Sequence, residues 1–433
     1  MSPIKKIVAL TAATLLTATL TACGGSTPPT NNTSGETGNS LTVWAWDPTF
    51  NVYAMKEAAK VYQKDHPDFS LNVVEIKWDD LQAKFTTLGQ SGQTDQLPDI
   101  FLMQNNAFQK NVLSYPDMFA DYDKAGVDFS QYPASVVNYS TVDGHNYGLP
   151  FDNGAAIAAY RTDVLEQAGY SIKDFTDITW DEFTTKAKDV LAKTGKPLLS
   201  GQAGTADMIM MMLQSAGASL FDKEGHPTIV DNDALIKVID TYKGLLSEGV
   251  FQAVNTWDEY IGTFVNDSVA GVVNGCWILG SIQSANDQSG KWGITDLPKL
   301  TGLSSATNYS ANGGSSWAIS ANANYDLAAD FLKATFAGST DLYETILPSS
   351  GALANWLPAG KSQAYAQPQP FFDNEAIYTK IVDYAAKAPS NNTGAYYYEA
   401  LAAVSAAVTK VTSGTDLATA LQEAQNTVEF AMK

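Results

Sequence analysis

Arginine is almost absent from this 433-residue chain; Arg161 is the only one. Basic residues number 26 against 46 acidic ones, a formal net charge of −20. A surface that grips a phosphate backbone needs clustered Lys and Arg, so a nucleic-acid partner is excluded. An anionic ligand is disfavoured for the same reason, because bidentate Arg is the usual means of holding a carboxylate. Histidine is scarce too. His66, His145 and His226 lie far apart with no H-x-x-x-H spacing, and neither a metal nor another cofactor is expected. Cysteine occurs twice, as Cys23 and Cys276. Beyond the N-terminus there is no run of about 20 apolar residues, so no transmembrane bundle is encoded. What is present is 45% hydrophobic and 11% aromatic, enough for two good cores and too apolar for disorder.

The first residues have the layout of a signal peptide. Lys5 and Lys6 give a basic start, and an uncharged apolar stretch runs from Ile7 to Leu20. Leu20-Thr21-Ala22-Cys23 then resembles the lipobox of bacterial lipoproteins. That resemblance implies removal of residues 1–22 and lipidation of Cys23; an ordinary secretory signal with an incidental Cys is the other reading. Residues 24–40 are nearly all Gly, Ser, Thr, Pro and Asn, so residues 23–39 are expected to form a lipidated Cys and a flexible linker. Losing Lys5 and Lys6 leaves 24 basic against 46 acidic residues, a net −22. Such a domain is repelled by anionic lipid, and the lipid anchor is the only membrane contact expected. With Cys23 lipidated, Cys276 has no disulfide partner and reads as a small buried hydrophobe.

Hydrophobic periodicity supplies the elements. Strands are expected over 41–46, 71–76, 98–103, 196–200, 269–273 and 317–320. The continuous apolar run Ile100-Phe101-Leu102-Met103 predicts a parallel strand buried on both faces. Helices are expected over 53–62, 80–88, 325–336, 375–388, 396–411 and 416–432, with another opening at Asp231 that buries Leu235, Val238, Ile239, Tyr242 and Leu246. Thr179-Trp180-Asp181-Glu182 fits a capping box. Strand and helix alternate, which argues for an α/β fold. The Met208, Met210, Met211 and Met212 cluster reads as core filler, and Trp44, Trp180, Trp292 and Trp317 as core.

Several stretches together resemble the extracellular solute-binding proteins, family 1, of ABC importers, the group that includes maltose- and oligosaccharide-binding proteins. They are Pro98-Asp99-Ile100-Phe101, Tyr147-Gly148-Leu149-Pro150, Tyr160-Arg161-Thr162-Asp163, Thr179-Trp180-Asp181-Glu182-Phe183, Asn274-Gly275-Cys276-Trp277, Leu297-Pro298-Lys299 and Gly313-Gly314-Ser315-Ser316-Trp317-Ala318-Ile319-Ser320. Their order spans the chain from residue 41 onward. The resemblance implies a two-lobed α/β periplasmic-binding-protein-like fold with a hinge and an interlobe ligand cleft. It places an N-terminal lobe at 40–152 with 310–346 and a C-terminal lobe at 153–309 with 347–433. Crossings near 152, 310 and 346 would form the hinge. It also implies a monomer at the extracellular face of the bacterial membrane, which delivers an oligosaccharide to the transmembrane subunits of an ABC permease.

Sugar recognition has two physical demands. The C–H face of a pyranose packs on an aromatic ring, and its hydroxyls suit planar carboxylates and amides. Ligands of open α/β sheets sit beyond the carboxyl ends of strands. The residues that meet these conditions are Trp46, Asp47, Trp78, Gln104, Asn105, Asp152, Asn153, Trp257, Trp277 and Phe371. Gly313 and Gly314 would let backbone amides approach the ligand. Turn-forming and capping roles are the alternative for the Asp, Asn and Gln side chains. One of Tyr396, Tyr397 and Tyr398 is expected to line the cleft. A secreted glycoside hydrolase would need two carboxylates flanking one bond, and no catalytic motif marks such a pair, so no enzymatic activity is expected. A non-sugar binder of the same fold is the remaining alternative.

Overall fold

The computed structural model of the chain describes residues 38–48, 50–152 and 154–433. The expected signal peptide, Cys23 and nearly all of the linker lie outside the described residues, as does Asn153. Among the described residues no helix is long and apolar enough to cross a membrane. The strands in chain order are β1 (Ser40–Ala45), β2 (Ser70–Glu75), β3 (Ile100–Gln104), β4 (Phe119–Ala120), β5 (Thr141–Val142), β6 (His145–Asn146), β7 (Leu149–Asp152), β8 (Ala156–Arg161), β9 (Leu199–Gln202), β10 (Phe251–Val254), β11 (Gly271–Gly275), β12 (Trp292–Thr295) and β13 (Ser315–Ser320).

The first sheet has the order β2-β1-β3-β13-β4, with β7 also paired to β13. β1, β2 and β3 are parallel, and β13 is inserted antiparallel to β3. The run Ile100 to Met103 is buried on both faces, as its composition predicts. Alternation sends Ile100 and Leu102 into one core, against helix Asn51–Tyr62, and Phe101 and Met103 into another, against Leu81, Phe85 and Leu88 of helix Trp78–Ser91.

Two further sheets follow: the parallel pair β10-β9 and the antiparallel set β11-β8-β12. They share a core with helices Trp180–Thr194, Asp207–Ser215, Asp233–Ser247, Tyr397–Thr412 and Leu417–Ala431. The four methionines are buried there as filler. Trp180 and Trp292 are core, as are Trp44 and Trp317 around the first sheet. The capping box at Thr179 forms, with Glu182 Oε2 accepting from the Thr179 amide at 2.8 Å. Helix Asp233–Ser247 starts just after the expected Asp231, because Asn232 is the residue whose Oδ1 accepts from the Leu235 amide, at 3.0 Å. Leu245 is buried on this helix and Leu246 only half-buried, so the i+3 neighbour of Tyr242 takes the core position.

The segments that pass between the sheets pair with one another. Asp152 forms an antiparallel bridge with Ala354, and Ala155 with Ala311. The Ala156 amide donates to Ser310 O at 2.9 Å, and the Asn312 amide to Gly154 O at 2.7 Å. Residue 346, near which the third crossing is expected, lies in helix Thr340–Ser350. Ile346 and Leu347 of that helix are buried in the core that also holds Val52 and Met55.

Candidate functional site

Parallel pairing puts the carboxyl ends of β1, β2 and β3 on one edge of the first sheet. Trp46, Asp47, Trp78 and Asn105 stand just past those ends, and Gln104 closes β3. β13 runs the other way, so its start meets the same edge: Ser315 pairs with Gln104, and Gly313 and Gly314 lead into it. Both glycines hold positive φ, +77° and +89°, a conformation that disfavours a side chain. The Trp46 and Trp78 rings lie 5.0 Å apart between centroids at 59°, and both are half-buried. Asn51, fully buried at the start of its helix, fixes this loop. Its Oδ1 accepts from the Trp46 and Asp47 amides, each at 3.0 Å. Asp47 Oδ1 accepts from the Phe50 amide at 2.9 Å.

Three of the polar residues on this edge are engaged inside the protein. Gln104 Oε1 accepts from the Tyr398 hydroxyl at 2.7 Å. Burial pushes the Tyr398 phenol up, which keeps that donor protonated. Asn105 is buried, and its Oδ1 accepts from Ser316 Oγ at 2.7 Å while its amide donates to Gly314 O at 3.0 Å. Asp152 is buried too, with Oδ1 accepting from the Ser315 amide at 2.8 Å and from Ser315 Oγ. Burial raises the Asp152 carboxyl to about 6, against the lowering pull of its Ser315 bonds. Asn105 and Asp152 thus brace the start of β13. Capping and bracing are the commoner uses of short polar side chains at strand ends.

The second group lies past the carboxyl ends of β9, β10 and β11. A capping box holds Trp257 at the first position of helix Trp257–Val265: Thr256 Oγ1 accepts from the Glu259 amide at 3.2 Å, and Glu259 Oε2 from the Thr256 amide at 3.3 Å. The indole is left 41% exposed. Its ring lies 5.8 Å from that of Trp277 at 38°. Trp277 is half-buried, with Nε1 donating to Asn312 O at 2.9 Å. A Cβ on Gly275 would fall 2.3 Å from that Nε1, so the seat of the ring requires glycine. Asn274 joins the same network: its Oδ1 accepts from Asn312 Nδ2 at 2.8 Å, and its Nδ2 donates to the Tyr260 hydroxyl at 3.1 Å. Residues 312–315 thus touch Trp277 on one side and the Gln104 edge on the other.

Phe371 is not brought to this place. Its carbonyl accepts from the Gly290 amide at 2.9 Å, before β12 begins. β12 and β11 both run antiparallel to β8, with Trp292 opposite Arg161 and Gly275 opposite Ala156. At roughly 3.3 Å per residue, Phe371 and Trp277 sit at opposite ends of that sheet, about 15–20 Å apart. Arg161 is also committed elsewhere. It is buried, with Nε and Nη2 on the Asp163 carboxylate at 2.8 and 2.7 Å and Nη1 on Asp267 at 2.8 Å. The one arginine of the chain is therefore spent on structure. Cys276 is buried, and its thiol is pushed up by that burial, which suits a packing role and not a nucleophile.

Sequence reasoning missed Asp207. It opens helix Asp207–Ser215 and lines a recess with Gln202, Trp257, Tyr260 and Asn274. The signal was available: a lone carboxylate just ahead of the apolar run Met208 to Leu213, shortly after a strand.

Comparison with known proteins agrees with this architecture. A family model described as bacterial extracellular solute-binding protein matches residues 57–351. A lactose-binding protein of Rhizobium radiobacter is 37% identical over 409 residues, covering 94% of this chain and 93% of that protein. Among solved structures, the GacH receptor of Streptomyces glaucescens aligns with a TM-score of 0.73 at 18% identity, over 92% of this chain and 98% of that one. The galacto-N-biose-/lacto-N-biose I-binding protein of Bifidobacterium longum aligns with a TM-score of 0.72 at 20% identity, over 91% and 96%. The chain belongs to the bacterial extracellular solute-binding proteins and has their two-lobed α/β fold.

Proposed function

We propose that the protein captures a short neutral oligosaccharide outside the cell and passes it to an ABC importer without altering it. The observation that carries this reading is the pair of tryptophan couples, Trp46 with Trp78 and Trp257 with Trp277, each placed just past the carboxyl ends of strands. Aromatic faces suit the C–H faces of sugar rings. The burial of Arg161 in ion pairs speaks against an anionic ligand. Residues 40–152 with 310–346 would form one lobe and 153–309 with 347–433 the other, closing on the sugar about the paired crossing segments. Lactose is the first ligand to test, given the 37% identity to a lactose-binding protein.

The test is calorimetric titration of the protein with lactose, maltose, arabinooligosaccharides and mannitol. Saturable binding of at least one saccharide is expected, and absence of binding across the panel would overturn the reading. Chromatography of the bound sugar after long incubation should return it intact. We also propose that Cys23 carries lipid and tethers the domain to the outer face of the membrane. Intact mass of protein from its native membrane should give a mature N-terminus at Cys23; any other terminus refutes the anchor.

A further inference from the structure

The first sheet and the helix Tyr397–Thr412 meet through a set of polar contacts. On one side stand Gln104, at the end of β3, and Lys110, in helix Phe108–Ser114. On the other stand Tyr396, Tyr398 and Glu399, at the start of a helix whose buried residues pack with the two later sheets. The Tyr398 hydroxyl donates to Gln104 Oε1 at 2.7 Å. Lys110 forms an ion pair with Glu399, and its Nζ lies 5.9 Å from the centroid of the Tyr396 ring. The Tyr398 ring packs against two cores, the one that holds Phe108 and the one that holds Met208 to Leu213. Both sides of the contact adjoin the tryptophan couples. β3 ends on the edge that carries Trp46 and Trp78. Burial, and then Tyr139, Tyr398 and Asp207, push the Tyr397 phenol up, and Asp207 shares a recess with Trp257. The contact also stands away from the paired crossing segments. Gln104 and Asp152 flank Ser315 on neighbouring strands, which puts them about 10 Å apart. A turn of about 15° about Asp152 would move Gln104 by roughly 2–3 Å, enough to part a hydrogen bond.

We propose that the Tyr398–Gln104 hydrogen bond and the Lys110–Glu399 ion pair form a latch, made when the lobes close on a sugar and broken when they open. This rests on the lobe division and the sugar-binding reading above. The four residues are positioning residues: they set affinity without touching the ligand. A contact present only in the closed state favours that state, and the sugar then needs less binding energy of its own to hold it. The hydrogen bond contributes more than the ion pair. The Lys110 and Glu399 side chains stay 40% and 27% exposed, so water screens their attraction.

The test is titration of latch variants with lactose, and with any other sugar of the panel above that wild type binds, beside urea melts without sugar. Tyr398→Phe keeps the ring and should weaken binding roughly 5- to 10-fold, chiefly through faster dissociation. Gln104→Leu should do the same, and the two changes together should cost no more than either alone, because both break one bond. Lys110→Glu and Glu399→Lys should each weaken binding roughly 3- to 10-fold, and the double reversal should recover most of that loss. Sugar-free urea midpoints of Tyr398→Phe and of the double reversal should match wild type, since the open molecule does not make the contact. Binding by Tyr398→Phe within twofold of wild type, additive losses for Tyr398→Phe and Gln104→Leu, or no recovery in the double reversal overturns the inference alone. So does a sugar-free midpoint lowered by Tyr398→Phe, which marks a permanent contact. Failure of wild type to bind any saccharide of the panel overturns the functional reading, and the inference with it.

Discussion

Removing Trp257 offers a clean separation of binding from folding. The side chain is 41% exposed, and helix capping by Thr256 and Glu259 fixes its position. A tryptophan presents about 250 Å² in all, so about 100 Å² remains open to a ligand. A sugar ring covers about half to all of that, and at roughly 25 cal/mol per Å² the contact is worth about 1.3–2.5 kcal/mol. Trp257→Ala should therefore weaken sugar binding by roughly 10- to 60-fold. Stability should change less, by about 1–2 kcal/mol, because the ring is two-fifths exposed and its aromatic packing is against Trp277 and Tyr260. Calorimetric titration gives the first number and urea denaturation the second. Unchanged affinity in the variant, where wild type binds, would refute the stacking argument. A loss of stability above about 4 kcal/mol would show that the indole is a core anchor instead.

Three other changes test neighbouring parts of the site. Asp152 has its carboxyl raised from 3.8 to about 6 by burial, so its contribution to stability is full at acid pH and is lost as pH rises through about 6. Wild type should thus gain about 1.4 kcal/mol from this group between about pH 7.5 and pH 5, a gain that Asp152→Asn abolishes in urea melts at the two pH values. Gly275→Ala would place a Cβ 2.3 Å from Trp277 Nε1 and 2.5 Å from Asn312 O, so it should lower both affinity and melting temperature, measured by titration and thermal shift. Thr179→Ala and Thr256→Ala should each cost about 1 kcal/mol in urea melts through a lost helix cap, but only Thr256→Ala should also reduce sugar affinity.

That last pair shows what was legible in the sequence. Thr-Trp-Asp-Glu followed by an aromatic occurs twice, at 179–183 and at 256–260. Both copies form a capping box, because the geometry of the first turn is set by residues within it. The tryptophans part company: Trp180 is 1% exposed against Phe183, while Trp257 stays open beside Trp277. What covers a ring is decided by distant segments that local sequence does not encode. The same holds for Asn105 and Asp152, whose partners Ser316 and Ser315 lie far along the chain. Strands rich in β-branched and aromatic residues were readable, as at β1 and β3. β8 was not, because four of its six residues, Ala156, Ile157, Ala158 and Ala159, are three small residues and one branched one, with no alternation to reveal a strand fully buried on both faces.

The insertion of β13 has a consequence for the order in which the molecule can be made. Ser316 bonds Asn105, 211 residues earlier, and β13 supplies the partner for the open side of β3. At roughly 5–20 residues per second, that partner leaves the ribosome about 10–40 seconds after β3 does. Until then the apolar edge Ile100 to Met103 has nothing to pair with, whereas β8, β11 and β12 can close their own sheet from residues 156–295. The first sheet is thus obliged to wait for the last third of the chain. A protein that must thread a narrow export pore before folding gains from such a delay. The same delay leaves an adhesive strand exposed in the nascent chain, so a holding chaperone during synthesis is the natural counterpart of this topology.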